Sequence, residues 1–132
     1  MLTNSESGTN VHEIAERIYR INTPLGVVPG GFSFNQYLIA GDEPLLFHTG
    51  LRKTFPMVLE AVRSVMPAEQ LRYVAFSHFE QDECGSLNDW LAVAPHAVAL
   101  CSKVANWPVP IAPSGIRASI SPSSNRAAPA QE

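Results

Sequence analysis

Residues 71–88 read LRYVAFSHFEQDECGSLN, and this stretch decides the fold. Leu71–Ser77 is a largely apolar run of strand length, the kind buried inside a layered sheet. Directly after it come His78, Glu80 and Asp82, spaced two apart. In extended backbone, alternate residues point to one face, so this spacing predicts an imidazole and two carboxylates converging where a buried strand ends. In α/β sheets the carboxyl ends of strands are where sites are built. A nitrogen donor with hard oxygen donors suits iron, zinc or manganese. The competing reading of the same three residues is a solvated loop with unrelated carboxylates.

Outward from this stretch, the pattern alternates strands and helices. Glu13–Ile21 fits a strand, although its isoleucines also fit a helix turn, and Asn22-Thr23-Pro24 reads as its stop. Gly26–Gly31, with three glycines and Pro29, reads as a turn or mobile loop. Ser33–Ala40 and Pro44–His48 read as two strands of a hairpin around Gly41-Asp42-Glu43. Thr54–Met66 carries Phe55, Val58, Leu59, Val62 and Met66 at helical spacing, with Pro56 in the first turn and Pro67 as the stop. Gly85–Ala94 reads as a second helix and Ala97–Cys101 as a short apolar strand. The expected class is α/β, a sheet with helices layered on it.

The chain has 132 residues, the size of one domain. Three parts are expected: a flexible polar segment over 1–10, a folded unit over 11–105, and a disordered tail over 106–132. Pro, Ser and Ala supply 15 of those last 27 residues, and five prolines forbid helix or central strand there. So abrupt a change in composition is also what out-of-frame translation of a GC-rich gene produces. A net charge of −3 is no basic footprint, which excludes nucleic acid as the expected partner. No apolar run approaches the ~18 residues of a membrane span. The polar start and the two cysteines, too few for a disulfide framework, make the cytoplasm the expected location.

The segment SHFEQDECGSLN resembles the metal loop of the metallo-β-lactamase superfamily. Most members carry His-x-His-x-Asp-His there, whereas flavodiiron proteins and related oxygen-binding diiron proteins carry His-x-Glu-x-Asp. This sequence has the second form, and IYRINTP, NQYLI, PLLFHTG and LRYVAFSH follow the family's order of hairpin, helix, strand and loop. The resemblance covers about residues 13–104. It implies the N-terminal half of an αββα sandwich, with a second sheet needed to cover the inner faces of NQYLI, PLLFH and LRYVAF. Without that sheet, an exposed apolar face predicts low stability, self-association or pairing with another chain.

By the same resemblance, His78 and Glu80 would hold a first iron and Asp82 a second, at a site that binds or reduces O₂ or NO. Zinc is the alternative metal. No flavin-binding domain is expected in this chain, so any redox partner would be a separate protein. Three departures stand out. Glu83 occupies the position where many relatives have His, and is either a further oxygen ligand or an acid favoured at a helix start. His48, in FHTG, stands where hydrolytic relatives carry Asp, and either braces the metal loop through a ring N–H or is an ordinary hydrogen-bonded strand-end histidine. Residues after 105 contain neither His nor Asp, whereas the family draws a His, a bridging Asp and a second His from later sequence.

The expected function is therefore a truncated relative of diiron oxidoreductases, inactive by itself, so catalysis by this chain is left open. A metallohydrolase of the same fold and a non-catalytic remnant or binding module are the alternatives. His12 and His96 are expected at the surface. Cys84 is read as a small buried filler with a thiolate ligand as the competing role, and Cys101 and Trp90 as core. Gly26, Gly30 and Gly31 lack the Gly-Lys-Ser/Thr of a phosphate loop, and the family resemblance implies a place for them at the site mouth.

Overall fold

A computed structural model describes residues 1–102, and the expected tail over 106–132 lies outside the described residues. The described residues form one seven-stranded mixed sheet with its strands in sequence order. The strands are β1 (Leu2–Asn4), β2 (Thr9–Ala15), β3 (Ile18–Leu25), β4 (Phe32–Ile39), β5 (Leu45–Phe47), β6 (Tyr73–Phe76) and β7 (Val98–Cys101). β1 to β5 run antiparallel, and β5–β6 and β6–β7 are parallel pairs. The parallel pairs need crossovers, supplied by α1 (Phe55–Arg63) and by α2 (Gln81–Cys84) with α3 (Leu87–Val93).

Two features differ from the sequence expectation. The polar segment 1–10 is not loose: β1 pairs with β2, the N-terminal amine donates to the Val11 carbonyl at 2.7 Å, and Asn4 Nδ2 donates to Glu60 of α1 at 2.9 Å. A ladder is made by the backbone, so polar side chains do not forbid it. The second difference is that Glu13–Ile21 is two strands, not one. The chain reverses at Glu16-Arg17, where the Arg17 amide donates to the Glu13 carboxylate at 2.9 Å and Arg17 takes a left-handed φ of 58°. No Gly, Asn or Pro marks that turn. Nor do Asn22-Thr23-Pro24 stop the strand: β3 runs on to pair Pro24 with Ser33. Pro24 lies beyond the last residue paired to β2, so its missing N–H costs no ladder bond.

Register assigns each strand residue to a face. On one face Leu38, Leu46, Val74 and Ala99 align across β4 to β7, and all are buried. Val58, Ala61 and Val62 of α1 and Leu87 and Trp90 of α3 cover them, and Phe55 meets Trp90 edge-on at 5.2 Å. On the opposite face Ile18, Ile39, Leu45, Tyr73 and Val98 form an equally continuous row. Here Ile39 and Val98 each stay 40% exposed. At the other end of this face, Asn10, Asn22 and Asn35 form a ladder of side-chain hydrogen bonds at 3.4 and 2.9 Å.

The helices thus cover one face of the sheet. Leu46→Ala, which empties a fully buried site beneath the helices, is expected to cost about 2–5 kcal/mol in urea unfolding. Val98→Lys on the open face is expected to stay within about 0.5 kcal/mol of the parent. Equal losses would show that the second face is covered too.

Candidate functional site

The sequence-predicted residues gather at the carboxyl ends of β5 and β6, but not by strand alternation. β6 ends at Phe76, residues 77–80 bend, and α2 begins at Gln81. His78 and Glu80 are exposed on this bend, while Asp82 lies in the first turn of α2 beside Glu83. Acids in a first helical turn are favoured by the amide dipoles there. The three residues therefore share one short loop and helix start rather than one extended face.

Glu83 organises the loop. Its Oε2 accepts hydrogen bonds from Ser77 Oγ at 3.0 Å and from the backbone amide of His78. It lies 3.6 Å from His48 Nε2 and 3.9 Å from His78 Nδ1. Partial burial pushes the Glu83 carboxyl up. The His78 amide, the Ser77 hydroxyl and the two imidazoles together outweigh burial and hold it below the ordinary carboxylate range.

His48 completes the arrangement from the end of β5. Its φ of 65° is left-handed, uncommon for a residue with a side chain, and its ring stacks on Phe47 with centroids 4.2 Å apart. His48 Nε2 lies 3.2 Å from Ser77 Oγ. Because the Ser77 proton points to Glu83, His48 Nε2 must carry the proton of this contact and donate it. Its amide donates to the Ala75 carbonyl at 2.7 Å, which ties the end of β5 to β6.

Sequence reasoning missed the clasp beneath the loop. The Thr49 amide donates to the Glu83 carbonyl at 2.7 Å. Buried Ser86 donates from Oγ to the Thr49 carbonyl at 2.9 Å and from its amide to Thr49 Oγ1 at 3.2 Å and the Gly50 carbonyl at 3.1 Å. Trp90 Nε1 donates to the Thr49 carbonyl at 3.3 Å, so the expected core residue also does polar work. Gly50 has a φ of 81°, and a Cβ there would sit 3.0 Å from Thr54 Oγ1 and 3.1 Å from Gln36 Nε2. A Cβ at Gly85 would collide with the Gln81 carbonyl oxygen. Thr-Gly after a strand and Gly-Ser before a helix were the available signals.

Cys84 is buried, and burial first, then the charges of Glu83 and Asp82, push its thiol up to about 11. Without a metal it is a protonated thiol at neutral pH, donating to the Glu80 carbonyl at 3.2 Å. His12 and His96 are exposed and far along the chain from this loop. Gly26–Gly31 forms the exposed β3–β4 turn.

The donor chemistry of His78, Glu80 and Asp82 fits iron or another hard-to-borderline cation. Their number and placement do not make a closed site. Among the described residues no three His, Cys, Asp or Glu side chains stand together so as to hold a metal ion. Two-ion carboxylate sites take about six protein ligands or more.

Ser86→Ala leaves the buried Thr49 carbonyl with one donor fewer and is expected to cost about 1–3 kcal/mol. Urea unfolding followed by tryptophan fluorescence measures it, and a loss below the error of the fit would mean that the clasp does not hold the loop.

A profile described as ODP family beta lactamase matches residues 32–121. Flavo-diiron protein FprA2 of Clostridium acetobutylicum is 36% identical over 72 residues, 54% of this chain and 18% of that protein. The anaerobic nitric oxide reductase flavorubredoxin of Salmonella arizonae is 26% identical over 96 residues, 70% of this chain and 20% of that protein. The chain thus spans between 13% and 20% of the length of the curated relatives it matches. Among solved structures, rubredoxin oxygen:oxidoreductase from Desulfovibrio gigas superposes with a TM-score of 0.70 at 18% identity. That match covers 74% of this chain and 26% of the other. A metallo-β-lactamase from Cronobacter sakazakii reaches 0.62 at 17% identity, covering 73% of this chain and 35% of the other. These likenesses show the metallo-β-lactamase fold. No helix among the described residues is long and apolar enough to cross a membrane. With its β4-to-β7 sheet, its loop after β6 and well over half its length inside the matched profile, the chain belongs to the ODP family of β-lactamase-fold proteins.

Proposed function

We propose that this chain carries the first ligand loop of a diiron-type oxidoreductase domain that binds or reduces O₂ or NO, with iron as its metal. The observation that carries the reading is the His-x-Glu-x-Asp loop itself. It sits at the carboxyl end of parallel strand β6, clasped by the His48–Gly50 turn, and carries two hard oxygen donors and an exposed imidazole on one short segment. The names of the flavo-diiron and nitric oxide reductase relatives support the same class. In this reading His78 and Glu80 hold one iron weakly, with Asp82 beside it. Iron would supply redox chemistry. The chain's own residues supply the loop, its anchoring and a fixed His48 N–H donor. Zinc with metallohydrolase chemistry is supported by fold likeness alone. Two free cysteines, one a deeply buried thiol, support a reducing compartment, and we place the protein in the cytoplasm.

Anaerobic loading with Fe(II) tests this reading. The parent is expected to retain iron after desalting, and His78→Ala is expected to lose about tenfold or more in affinity, at least the size of losses seen when groups behind a ligand are removed. Equal retention by both would overturn it. Tight zinc binding with ester or lactam turnover that Asp82→Ala abolishes would favour the hydrolase. The absence of any metal binding would favour a non-catalytic role.

For partners, the reading carries self-association through the open sheet face, where Ile18, Ile39, Leu45, Tyr73 and Val98 align. A separate redox protein is the other expected partner. Sedimentation velocity is expected to show concentration-dependent association that Ile39→Lys removes. A monomer at every concentration would exclude self-association.

A further inference from the structure

We propose that Glu83 is a positioning residue that anchors the ligand loop and is not a metal ligand, an inference that rests on the reading of His78, Glu80 and Asp82 as ligands. The sequence alone left both roles open. The structure turns the carboxylate back onto the start of its own loop, five and six residues earlier. Oε2 accepts from Ser77 Oγ at 3.0 Å and from the His78 amide. The Glu83 backbone is held as well, because its carbonyl accepts the Thr49 amide at 2.7 Å. The Glu83 side chain is only 15% exposed, whereas that of His78 is 67% exposed.

His48 reinforces the arrangement. Its left-handed backbone and its stack on Phe47 fix the ring so that Nε2 meets Ser77 Oγ at 3.2 Å and lies 3.6 Å from Glu83 Oε2. One carboxylate oxygen is therefore surrounded by a hydroxyl, an amide and two imidazoles. A cation drawing on this oxygen would have to displace hydrogen bonds that set the backbone of His78. The anchor fixes where the His78 side chain leaves the loop and keeps its ring in solvent, ready for an ion.

Two measurements on the full chain test the proposal, with Co(II) alone as the metal probe. In metal-free protein, amide exchange observed by NMR is expected to be slow at His78. It should accelerate about tenfold or more in Glu83→Ala, and less in Glu83→Gln, whose carboxamide oxygen still accepts. In the Co(II) complex, Glu83→Gln is expected to leave the visible absorption bands in place. Glu83→Ala is expected to weaken affinity about tenfold, as removal of a ligand-orienting group does. A shifted Co(II) spectrum in Glu83→Gln would make Glu83 a ligand and overturn the proposal. Equal His78 exchange in all three proteins would overturn it too. If the parent binds no Co(II), the metal reading fails while the exchange experiment still decides the anchor. If Glu83→Ala does not fold, the Glu83→Gln spectrum decides the ligand question.

Discussion

The turn at His48-Thr49-Gly50 is the constraint on which the site depends. It ends β5 in two left-handed residues and passes beneath the start of the second crossover, where its backbone groups are buried from water. Buried amides and carbonyls must be paired. Thr49 pairs its amide with Glu83 and its carbonyl with both Ser86 and Trp90, and the Gly50 carbonyl takes the Ser86 amide. These bonds reach from residues 49–50 to residues 83–90 and leave little freedom in where α2 begins. Once α2 is placed, the loop from Ser77 to Glu80 has only a short span to bridge, and the Glu83 carboxylate closes it from inside.

The sheet imposes a second order on the molecule. Strands in sequence order, with both crossovers packed on one side, give one covered face and one open face. The covered row of Leu38, Leu46, Val74 and Ala99 and the open row of Ile18, Ile39, Leu45, Tyr73 and Val98 are both apolar. That is the composition of a sheet built to lie between two layers. The asparagine ladder at the other end of the open face breaks this apolar surface. Its side chains satisfy one another across β2, β3 and β4, so this end is suited to water or to a polar neighbour.

Much of this was legible in the residues. Apolar runs located β4, β5, β6 and β7 to within a residue or two, and helical spacing located α1, because burial of one face demands those periods. The His-x-Glu-x-Asp loop stood out by its place directly after a buried apolar strand. The N-terminal hairpins were harder. Leu2–Asn4 and Thr9–Ala15 carry few apolar residues, and the turn at Glu16-Arg17 is closed by a side-chain carboxylate rather than by a turn residue. The two-residue spacing of the loop mimics strand alternation, whereas the backbone leaves the sheet at Ser77.

By itself, then, the amino-acid order determined which segments pair and bury, and which residue types could meet a cation, since both follow from local period and side-chain chemistry. Tertiary structure decided what those side chains face. Glu83 could be ligand or brace in any reading of the chain alone. It is turned inward only because Thr49, Ser86 and Trp90, distant in sequence, bring the end of β5 against the start of α3 and set the carboxylate beside Ser77, His78 and His48. Long-range hydrogen bonds between buried groups carry no sequence period, and that is why only the folded chain reveals them.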